Sequence, residues 1–238
     1  MIKLPQKYSQ MDSRWGSELL GFNTEPQYNI HNYGCLITCL AMIHSYYGAK
    51  VDPSLMNNLL KDAKGYAGGG NYIWGTFPKI LKKVTEHLYR TPAPLTDDRI
   101  EDIKNAIDEG YPVMVQLDYN PRTVGLDMHY VLFIGYNPED ENDFTILDPL
   151  GGNAVSLKKY LGWWRPNARR TIEQYIVYAG EALTDMASLE KTILDMTEAF
   201  AALTKEHEEK LALCKQECQY ELLEVGKDLR EVIDYYEL

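Results

Sequence analysis

Hydrophobic positions change their spacing twice along this chain, near residue 110 and again near residue 185. Between residues 35 and 109 they recur every three or four positions, which is the period of helices packed on a core. The most regular stretch predicts a helix that starts at Cys35, buries one face and stops at Gly48. The predicted buried face consists of Leu36, Cys39, Leu40, Ile43 and Tyr47.

Two later segments carry helix-start signals. Asp52 and Pro53 predict the beginning of one helix, because aspartate caps unpaired N–H groups and proline fits the first helical position. Another helix is predicted over residues 98–109, with Asp98 and Glu101 as a capping box. These signals extend the helical region to residue 109.

The segment between those two helices combines a glycine-rich stretch with an apolar stripe. Residues 65–75 predict a flexible loop rich in aromatic side chains, and their glycines lack the pattern of a phosphate-binding loop. We therefore expect no nucleotide site there. The stripe that follows predicts one more helix, marked by Phe77, Ile80, Leu81 and Val84.

From residue 113 onward the apolar runs become short, rich in β-branched and aromatic residues, and separated by turn signals. They predict strands at residues 113–117, 130–136, 144–147 and 175–178. A helical front half followed by such strands predicts an α+β fold, in which N-terminal helices pack on an antiparallel sheet.

Helical periodicity returns from about Asp185 to the last residue, with one stutter in the rhythm. It predicts a long helix or a helical hairpin, about 70 Å in length if unbroken. A straight helix cannot bury its own apolar stripe, so we expect a homo-oligomer through residues 185–238. A folded-back helix and the binding of another protein are the alternatives. The predicted domains are residues 1–180 and 181–238.

Charge is concentrated in that second part of the chain. The whole chain has a net charge of −11, and residues 181–238, with 15 acidic and 6 basic residues, account for −9 of it. Neither part has a basic face, so we expect no nucleic-acid partner. No apolar run of about 18 residues predicts a membrane span. The first residues lack the apolar core of a secretory signal, so we expect a protein that is cytoplasmic at synthesis, with release or association with a virion left open.

The four cysteines form two pairs with i, i+4 spacing, Cys35 with Cys39 and Cys214 with Cys218. This is the spacing of a helix face rather than that of a zinc site or a disulfide framework. We therefore expect no metal and no cofactor, and a reducing compartment. Cys214 and Cys218 are predicted to lie along the apolar seam of the tail.

Cys35 differs from the other three because it directly follows Gly34 at the start of a predicted helix. Free cysteine is often a small buried core residue, and Cys35 alone fits that description. A thiol in the first helical turn, however, also faces unpaired backbone N–H groups and the positive end of the helix dipole, which favour the reactive thiolate. Cys35 is therefore a candidate nucleophile, whereas Cys39 lies one turn deeper and is expected to be inert.

A thiolate nucleophile needs an imidazole beside it and a group that orients the imidazole. His129 is the leading candidate, because it opens a strongly apolar strand where a polar residue needs a reason. If residues 129–136 and 144–148 form a hairpin, His129 and Asp148 become cross-strand neighbours about 5 Å apart. Asp127 is the competing carboxylate. The other histidines are His31, which could line the cleft, His44 and His87, which lie in helix patterns, and His207 of the tail.

Gln10 offers a carboxamide that could hold an oxyanion together with the cysteine N–H group, although its position alone is that of an ordinary loop residue. Four motifs around these candidates resemble those of the C39-like branch of the papain-type cysteine peptidases. The motifs are Tyr8 to Trp15 with Leu20-Gly21, Tyr33 to Met42, Gly110 to Val115, and His129-Tyr130-Val131 through Gly135-Tyr136 to Ile146-Leu147-Asp148-Pro149. Their order matches the family over roughly residues 5–180, and the tail does not.

The resemblance implies a papain-like cysteine peptidase fold, with Cys35 as nucleophile and His129 as general base and acid. It further implies that Asp148 orients His129 and that Gln10 completes the oxyanion hole. The expected function is hydrolysis of amide bonds in peptides, with the stem peptides of bacterial peptidoglycan as the first choice of substrate, as in phage lysis enzymes. The alternatives are a peptidase that processes proteins and a structural or interaction protein on an inactive peptidase fold.

Overall fold

A computed structural model describes residues 1–90, 95–118, 128–158 and 172–181, together with single residues and short stretches between Thr204 and Arg230. The chain divides into two units, Met1–Leu183 and Thr184–Leu238. In the second unit the described residues are helical, and Leu211 is exposed over 57% of its surface. The rest of the predicted tail helix, including Cys218, lies outside the described residues.

The first unit has the α+β fold that the sequence predicts, with most helices preceding an antiparallel sheet. Its N-terminal segment, residues 1–29, is irregular and rich in turns. The described helices are α1 (Ile30–Tyr33), α2 (Cys35–Tyr47), α3 (Pro53–Asp62), α4 (Phe77–Ile80) and α5 (Asp97–Asp108).

The described strands form a small hairpin and a larger antiparallel sheet. The hairpin pairs β1 (Tyr66–Ala67) with β2 (Asn71–Tyr72). The sheet has the order β3-β8-β4-β5-β6-β7, and each neighbouring pair is antiparallel. Its strands are β3 (Val84–Arg90), β4 (Val113–Asp118), β5 (Met128–Asn137), β6 (Asp140–Asp148), β7 (Asn153–Ser156) and β8 (Ile172–Gly180). The four predicted strands are all present.

Helix α2 is the most deeply buried helix and packs against α3 and β5. The prediction that it buries one face was too narrow, because nearly every side chain from Ile37 to Tyr47 is buried. A helix that is apolar around most of its circumference belongs inside the core. The Cys39 thiol lies 3.6 Å from the Tyr130 carbonyl oxygen of β5. Gly48 follows the last residue of the helix, as predicted.

The central strands β4 and β5 are buried on both faces. Helix α5 packs against β4, β5 and β8, and α2 packs against β5. In the part of the chain that the structure describes, no helix is both long enough and apolar enough to cross a membrane.

The segment after the glycine-rich stretch differs from its prediction. The helix marked by Phe77 and Val84 is one turn long, and Val84 begins strand β3 instead. This strand pairs along its whole length with β8, a partner far along the chain that local periodicity cannot indicate. Edge strand β7, which pairs with the adjacent β6, was also missed, because its four residues include no buried side chain and give no periodic signal. His87 consequently lies in a strand rather than in a helix.

The two predicted helix starts have different outcomes. Asp52 caps α3 as predicted, because its side chain accepts a hydrogen bond of 2.9 Å from the Leu55 N–H group. The capping box of Asp98 and Glu101 is wrong, since the residue that precedes α5 is Thr96. Asp98 instead lies in the first turn, where its negative charge interacts favourably with the helix dipole.

The glycine-rich stretch predicted as a flexible loop contains the β1–β2 hairpin and is tied to the N-terminal segment through Asn57 of α3. Oδ1 of Asn57 accepts hydrogen bonds from the Gly21 N–H group at 2.9 Å and the Tyr66 hydroxyl at 2.8 Å. Its Nδ2 donates to the Leu19 carbonyl at 2.9 Å. Gly21 has a φ of +59°, and a Cβ there would lie 2.3 Å from the Gly69 carbonyl oxygen, so only glycine allows this contact.

We expect Asn57→Ala to lower the free energy of unfolding by about 2–4 kcal/mol, because three polar groups lose their hydrogen-bond partner. Urea unfolding followed by circular dichroism measures the change. Asn58→Ala, at the next and exposed position of the same helix, is the matched control and should alter stability by less than about 0.5 kcal/mol. Equal effects of the two substitutions would contradict this role of Asn57.

Candidate active site

A cavity of ≈ 710 Å³ lies beside the first turn of α2 and the beginning of β5. Its described lining comes from the N-terminal segment, the start of α2, the β1–β2 hairpin with the loop after it, and β5. Gln10, Cys35 and His129 all line this cavity. Three of the four residues singled out in the sequence therefore share one cleft, although they are far apart in the chain.

Gly34 determines where Cys35 stands. It is the only residue between α1 and α2, and a Cβ at this position would lie 2.4 Å from the Ile30 carbonyl oxygen. Its φ of −85° is ordinary, so glycine is required by the close approach of the two helices and not by backbone strain. The turn places Cys35, half-buried, as the first residue of α2, where backbone N–H groups have no partner within the helix.

His129 and Asp148 meet as the sequence predicts, but through a different register. The strands pair as Leu132↔Leu147, so the position opposite His129 is two residues beyond Asp148. Three extra residues of β6 between its pairing with Asn137 and its pairing with Tyr136 produce this shift, and a one-residue bulge between Phe133 and Gly135 of β5 offsets only part of it. The two buried side chains nevertheless reach each other diagonally, with His129 Nε2 at 2.7 Å from Asp148 Oδ1.

A second hydrogen bond fixes the Asp148 carboxylate. Its Oδ1 also accepts the Leu150 N–H group at 2.9 Å, which forms a turn at the end of β6. The carboxylate is therefore held by its own backbone as well as by the imidazole. This arrangement keeps the acceptor in place while the protonation state of His129 changes.

The pKa of His129 is raised to about 9 by opposing effects. Burial disfavours the imidazolium and acts to lower the pKa, but hydrogen bonds to Asp148 and Cys35, together with the charges of both groups, outweigh it. Because Nε2 contacts Asp148, Nδ1 is the ring nitrogen left to face the Cys35 thiol. At neutral pH the site therefore favours an imidazolium between a carboxylate and a sulfur.

Gln10 is held in the cleft at two points. Its backbone N–H group donates to the Pro149 carbonyl at 2.8 Å, directly after Asp148, and its Nε2 donates to the His31 carbonyl at 2.7 Å. The side chain is buried, and its Oε1 has no hydrogen-bond partner among the described residues. Nε2 carries a second hydrogen that can serve another acceptor.

The two cysteines of α2 differ as predicted. Cys39 is fully buried, and burial is the main cause that raises the pKa of its thiol. Cys35 is half-buried and lines the cavity. A buried thiol in apolar surroundings stays protonated and unreactive, so Cys35 is the thiol of this helix that is accessible from the cavity.

Of the remaining candidates, His31 and His44 do not line the cavity. His31 contributes its carbonyl oxygen, while its side chain is exposed. His44 is buried further along α2, with Nδ1 at 3.0 Å from the Ala49 carbonyl oxygen. Asp127 lies outside the described residues, and His207 belongs to the second unit. Among the described residues, no group of three or more His, Cys, Asp or Glu side chains could hold a metal ion.

The sequence interpretation missed a cluster of polar and aromatic side chains beside the histidine. The Tyr130 hydroxyl donates to Gln116 Oε1 at 3.1 Å and accepts from Gln174 Nε2 at 2.9 Å. The Trp74 ring lies 6.3 Å from the Tyr130 ring. Gln116 is a buried polar residue in an otherwise apolar strand, and this was the one signal that could have indicated the cluster.

The geometry supports acyl-transfer chemistry. A thiol beside an imidazole that a carboxylate holds can pass its proton to the ring, which produces a nucleophilic sulfur. The N–H groups at the start of α2 and the Gln10 carboxamide are donors on the same cleft, and such donors stabilise a developing oxyanion. Each required part is therefore present around one cavity.

Comparison with solved structures shows similarity to the peptidase domain of Streptococcus ComA, which is described as a bi-functional ABC transporter involved in a quorum-sensing pathway. The two share 15% sequence identity, and the match covers 69% of this chain and 99% of that one, with a TM-score of 0.41. A comparison with curated protein sequences found no match.

Residues 19–172 match the Peptidase_C39 like family. This range covers more than half of the chain and contains Cys35, His129 and Asp148, whereas Gln10 and the tail lie outside it. The resemblance that the four sequence motifs indicate is thereby confirmed. The chain belongs to the Peptidase_C39 like family of cysteine peptidases.

Proposed function

We propose that this protein hydrolyses amide bonds in peptides through a thioester on Cys35. The observation that carries the proposal is the hydrogen-bonded series of Cys35, His129 and Asp148 at one edge of an accessible cavity. Membership of a cysteine peptidase family supports the reaction class.

In the proposed reaction His129 takes the thiol proton, and the sulfur of Cys35 attacks the carbonyl carbon of the scissile amide. The imidazolium then gives its proton to the leaving nitrogen as the C–N bond breaks, and a thioester remains. Water, deprotonated by His129, hydrolyses the thioester and restores the thiol. Asp148 holds Nε2 and stabilises the positive charge on the ring throughout.

Gln10 and the start of α2 form the proposed oxyanion hole. The Cys35 backbone N–H group and the second N–H of the Gln10 carboxamide would donate to the oxyanion of the tetrahedral intermediate. Gln10 suits this role because two carbonyl groups, of Pro149 and His31, hold its backbone and side chain before substrate arrives. Donors that need no reorientation stabilise the transition state most effectively.

The proposed substrate is the stem peptide of bacterial peptidoglycan, and a protein is the second candidate. A wall amidase and a peptidase use the same thiolate, imidazole and oxyanion donors, so only the products distinguish them. Mass spectrometry after incubation with purified peptidoglycan and with a protein mixture identifies the cleaved bond. Protein fragments alone would favour a processing peptidase, and no product from either would favour a structural role on an inactive fold.

We expect Cys35→Ala to abolish hydrolysis and leave the fold intact, because it removes the nucleophile but only one half-buried sulfur atom. At pH 6, where ordinary thiols are protonated, Cys35 of the unaltered protein should react with iodoacetamide at least about tenfold faster than Cys214. Peptide mass spectrometry resolves the two sites, and the exposed Cys214 serves as internal standard.

His129→Ala should remove the difference in labelling rate between the two thiols. Cys39→Ala, in the same helix but fully buried, is the matched control and should retain both fast labelling of Cys35 and hydrolysis. Hydrolysis by the Cys35→Ala variant would contradict the proposed mechanism. Equal labelling rates in the unaltered protein would contradict the paired thiolate and imidazolium.

We expect kcat/KM to fall as the pH rises through about 9, because His129 then loses the proton that it must give to the leaving nitrogen. Its raised pKa also contributes folding stability, which is full below the usual histidine pKa of about 6.5 and is lost as the pH rises through about 9. Asp148→Asn should move the alkaline limit of activity down by about one to two pH units, because the partner charge is removed.

A pH–rate profile checks this shift. Asp143→Asn is the matched control, since Asp143 lies on the same strand but accepts hydrogen bonds from Ser156 and Lys158 rather than from His129. Its alkaline limit should stay at about 9. An unchanged limit in Asp148→Asn would show that the carboxylate does not hold the charge of His129.

For the tail we propose self-association through residues 185–238, supported by the apolar period of its sequence and the exposure of Leu211. Removal of these residues should lower the molar mass of the particle measured by light scattering, because the seam between copies is lost. A full-length protein that is already monomeric would contradict self-association and favour a folded-back helix.

A further inference from the structure

Three aromatic side chains, those of Tyr72, Trp74 and Tyr130, line the cavity beside Cys35 and His129 and form what we call the aromatic wall. Trp74 lies in the loop after β2 and lines the cavity together with Tyr72 and Tyr130, the residue after His129. The Trp74 ring packs edge-on against Tyr72 at 5.0 Å and tilted against Tyr130 at 6.3 Å. A group bound against Trp74 would therefore lie close to the histidine.

Hydrogen bonds to Glu86 and Tyr72 fix this wall in place before any substrate binds. Glu86 of β3 accepts hydrogen bonds from the Tyr72 hydroxyl at 2.8 Å and from the Gly75 N–H group at 2.6 Å. Tyr72 precedes Trp74 in the chain and Gly75 follows it, so the segment that carries Trp74 is held on both sides. The Tyr72 oxygen also accepts the Phe77 N–H group at 2.9 Å. A loop held at both ends presents its ring at little entropic cost, which is the condition for a preformed binding site.

The rest of the described lining combines further tyrosines with carboxamides, glycines and a few aliphatic side chains. Tyr28 and Tyr33 contact each other at 5.5 Å and are exposed over 38% and 53% of their surfaces. Carboxamides accompany them, from Asn23, Asn32 and Asn71. Apart from the reacting residues Cys35 and His129, the described lining contains no acidic or basic side chain, although the chain has a net charge of −11. A charged group entering this part of the cleft would lose water without gaining a counter-charge.

We propose that the wall formed by Trp74, Tyr72 and Tyr130, with the facing tyrosines and carboxamides, binds an N-acetylated sugar ring of the substrate. This inference rests on the proposed function, because it assigns the uncharged glycan part of peptidoglycan to the cleft while the stem peptide reaches Cys35.

The chemistry of the lining favours a sugar over an apolar peptide. The C–H groups on one face of a pyranose ring fit the negative face of an aromatic ring, and its hydroxyl and acetamido groups need donors and acceptors. Asparagine side chains supply both. An apolar peptide would need mainly aliphatic contacts, and aliphatic side chains are the minority of the described lining.

The test measures binding of a β-1,4-linked tetramer of N-acetylglucosamine to the full-length Cys35→Ala protein by calorimetry. Trp74→Leu, combined with Cys35→Ala, keeps an apolar side chain but removes the aromatic face. It should weaken binding about three- to tenfold. Tyr136→Leu in the same background is the matched control, because Tyr136 lies at the other end of β5 and bonds to Asp108. It should leave the affinity unchanged.

A leucine- and valine-rich peptide is the competing probe. Binding of that peptide without binding of the sugar, or equal sugar affinity in Trp74→Leu and its control, would overturn the sugar site. Because Trp74→Leu retains an apolar surface, any binding of the peptide should be unchanged by the substitution, whereas binding of the sugar should weaken. A second variant, Asn71→Ala, removes one exposed carboxamide from the cleft and should also weaken sugar binding.

The outcome is separable from that of the proposed hydrolysis. Cleavage of stem peptides by a protein that does not bind the tetramer would contradict the sugar site and support the proposed hydrolysis. The protein could instead bind the tetramer through Trp74 and cleave neither peptidoglycan nor protein. That result would support the sugar site and contradict the proposed hydrolysis.

Discussion

The packing of α2 against β5 is the constraint on which the rest of this site depends. The helix is buried around nearly its whole circumference, so it has little freedom to slide or rotate relative to the sheet. Gly34 lets the chain turn directly into this helix, which sets Cys35 at its first residue. The position of the sulfur opposite His129 is thus a consequence of core packing, and the same packing keeps Cys39 out of reach of solvent.

The pKa of His129 depends on the balance between burial of its ring and the hydrogen bonds and charges of Asp148 and Cys35. Burial alone would leave a neutral imidazole, but Asp148 on one side and Cys35 on the other stabilise the charged ring. The partner carboxylate reaches the ring although extra residues on β6, only partly offset by a bulge in β5, displace the register of the hairpin. A regular hairpin would place Asp148 directly across the strand, whereas the observed one approaches the ring diagonally and also uses Asp148 to close a turn.

Two polar side chains, the buried Asn57 and the half-buried Glu86, hold together the opposite side of the cleft, where the chain has little regular structure. Asn57 joins the N-terminal segment to the β1–β2 hairpin, and Glu86 holds the loop that presents Trp74. Loops of this kind gain order from a few well-satisfied hydrogen bonds rather than from a continuous ladder. Stability and recognition are linked here, since the same bonds that fold these loops also shape the cavity.

The sequence by itself determined the α+β class, the extent of α2, the start of α3, the difference in burial between Cys35 and Cys39 and the meeting of His129 with Asp148. Those features follow from local periodicity, from helix capping and from the pairing of neighbouring strands in a hairpin. It could not determine β3, which pairs with a strand at the far end of the domain, or the bulged register. Nor could it place Gln10, whose two carbonyl partners come from distant segments, or the wall around Trp74. Only tertiary structure decided these, because each depends on contacts between segments whose separation in the chain leaves no periodic signal.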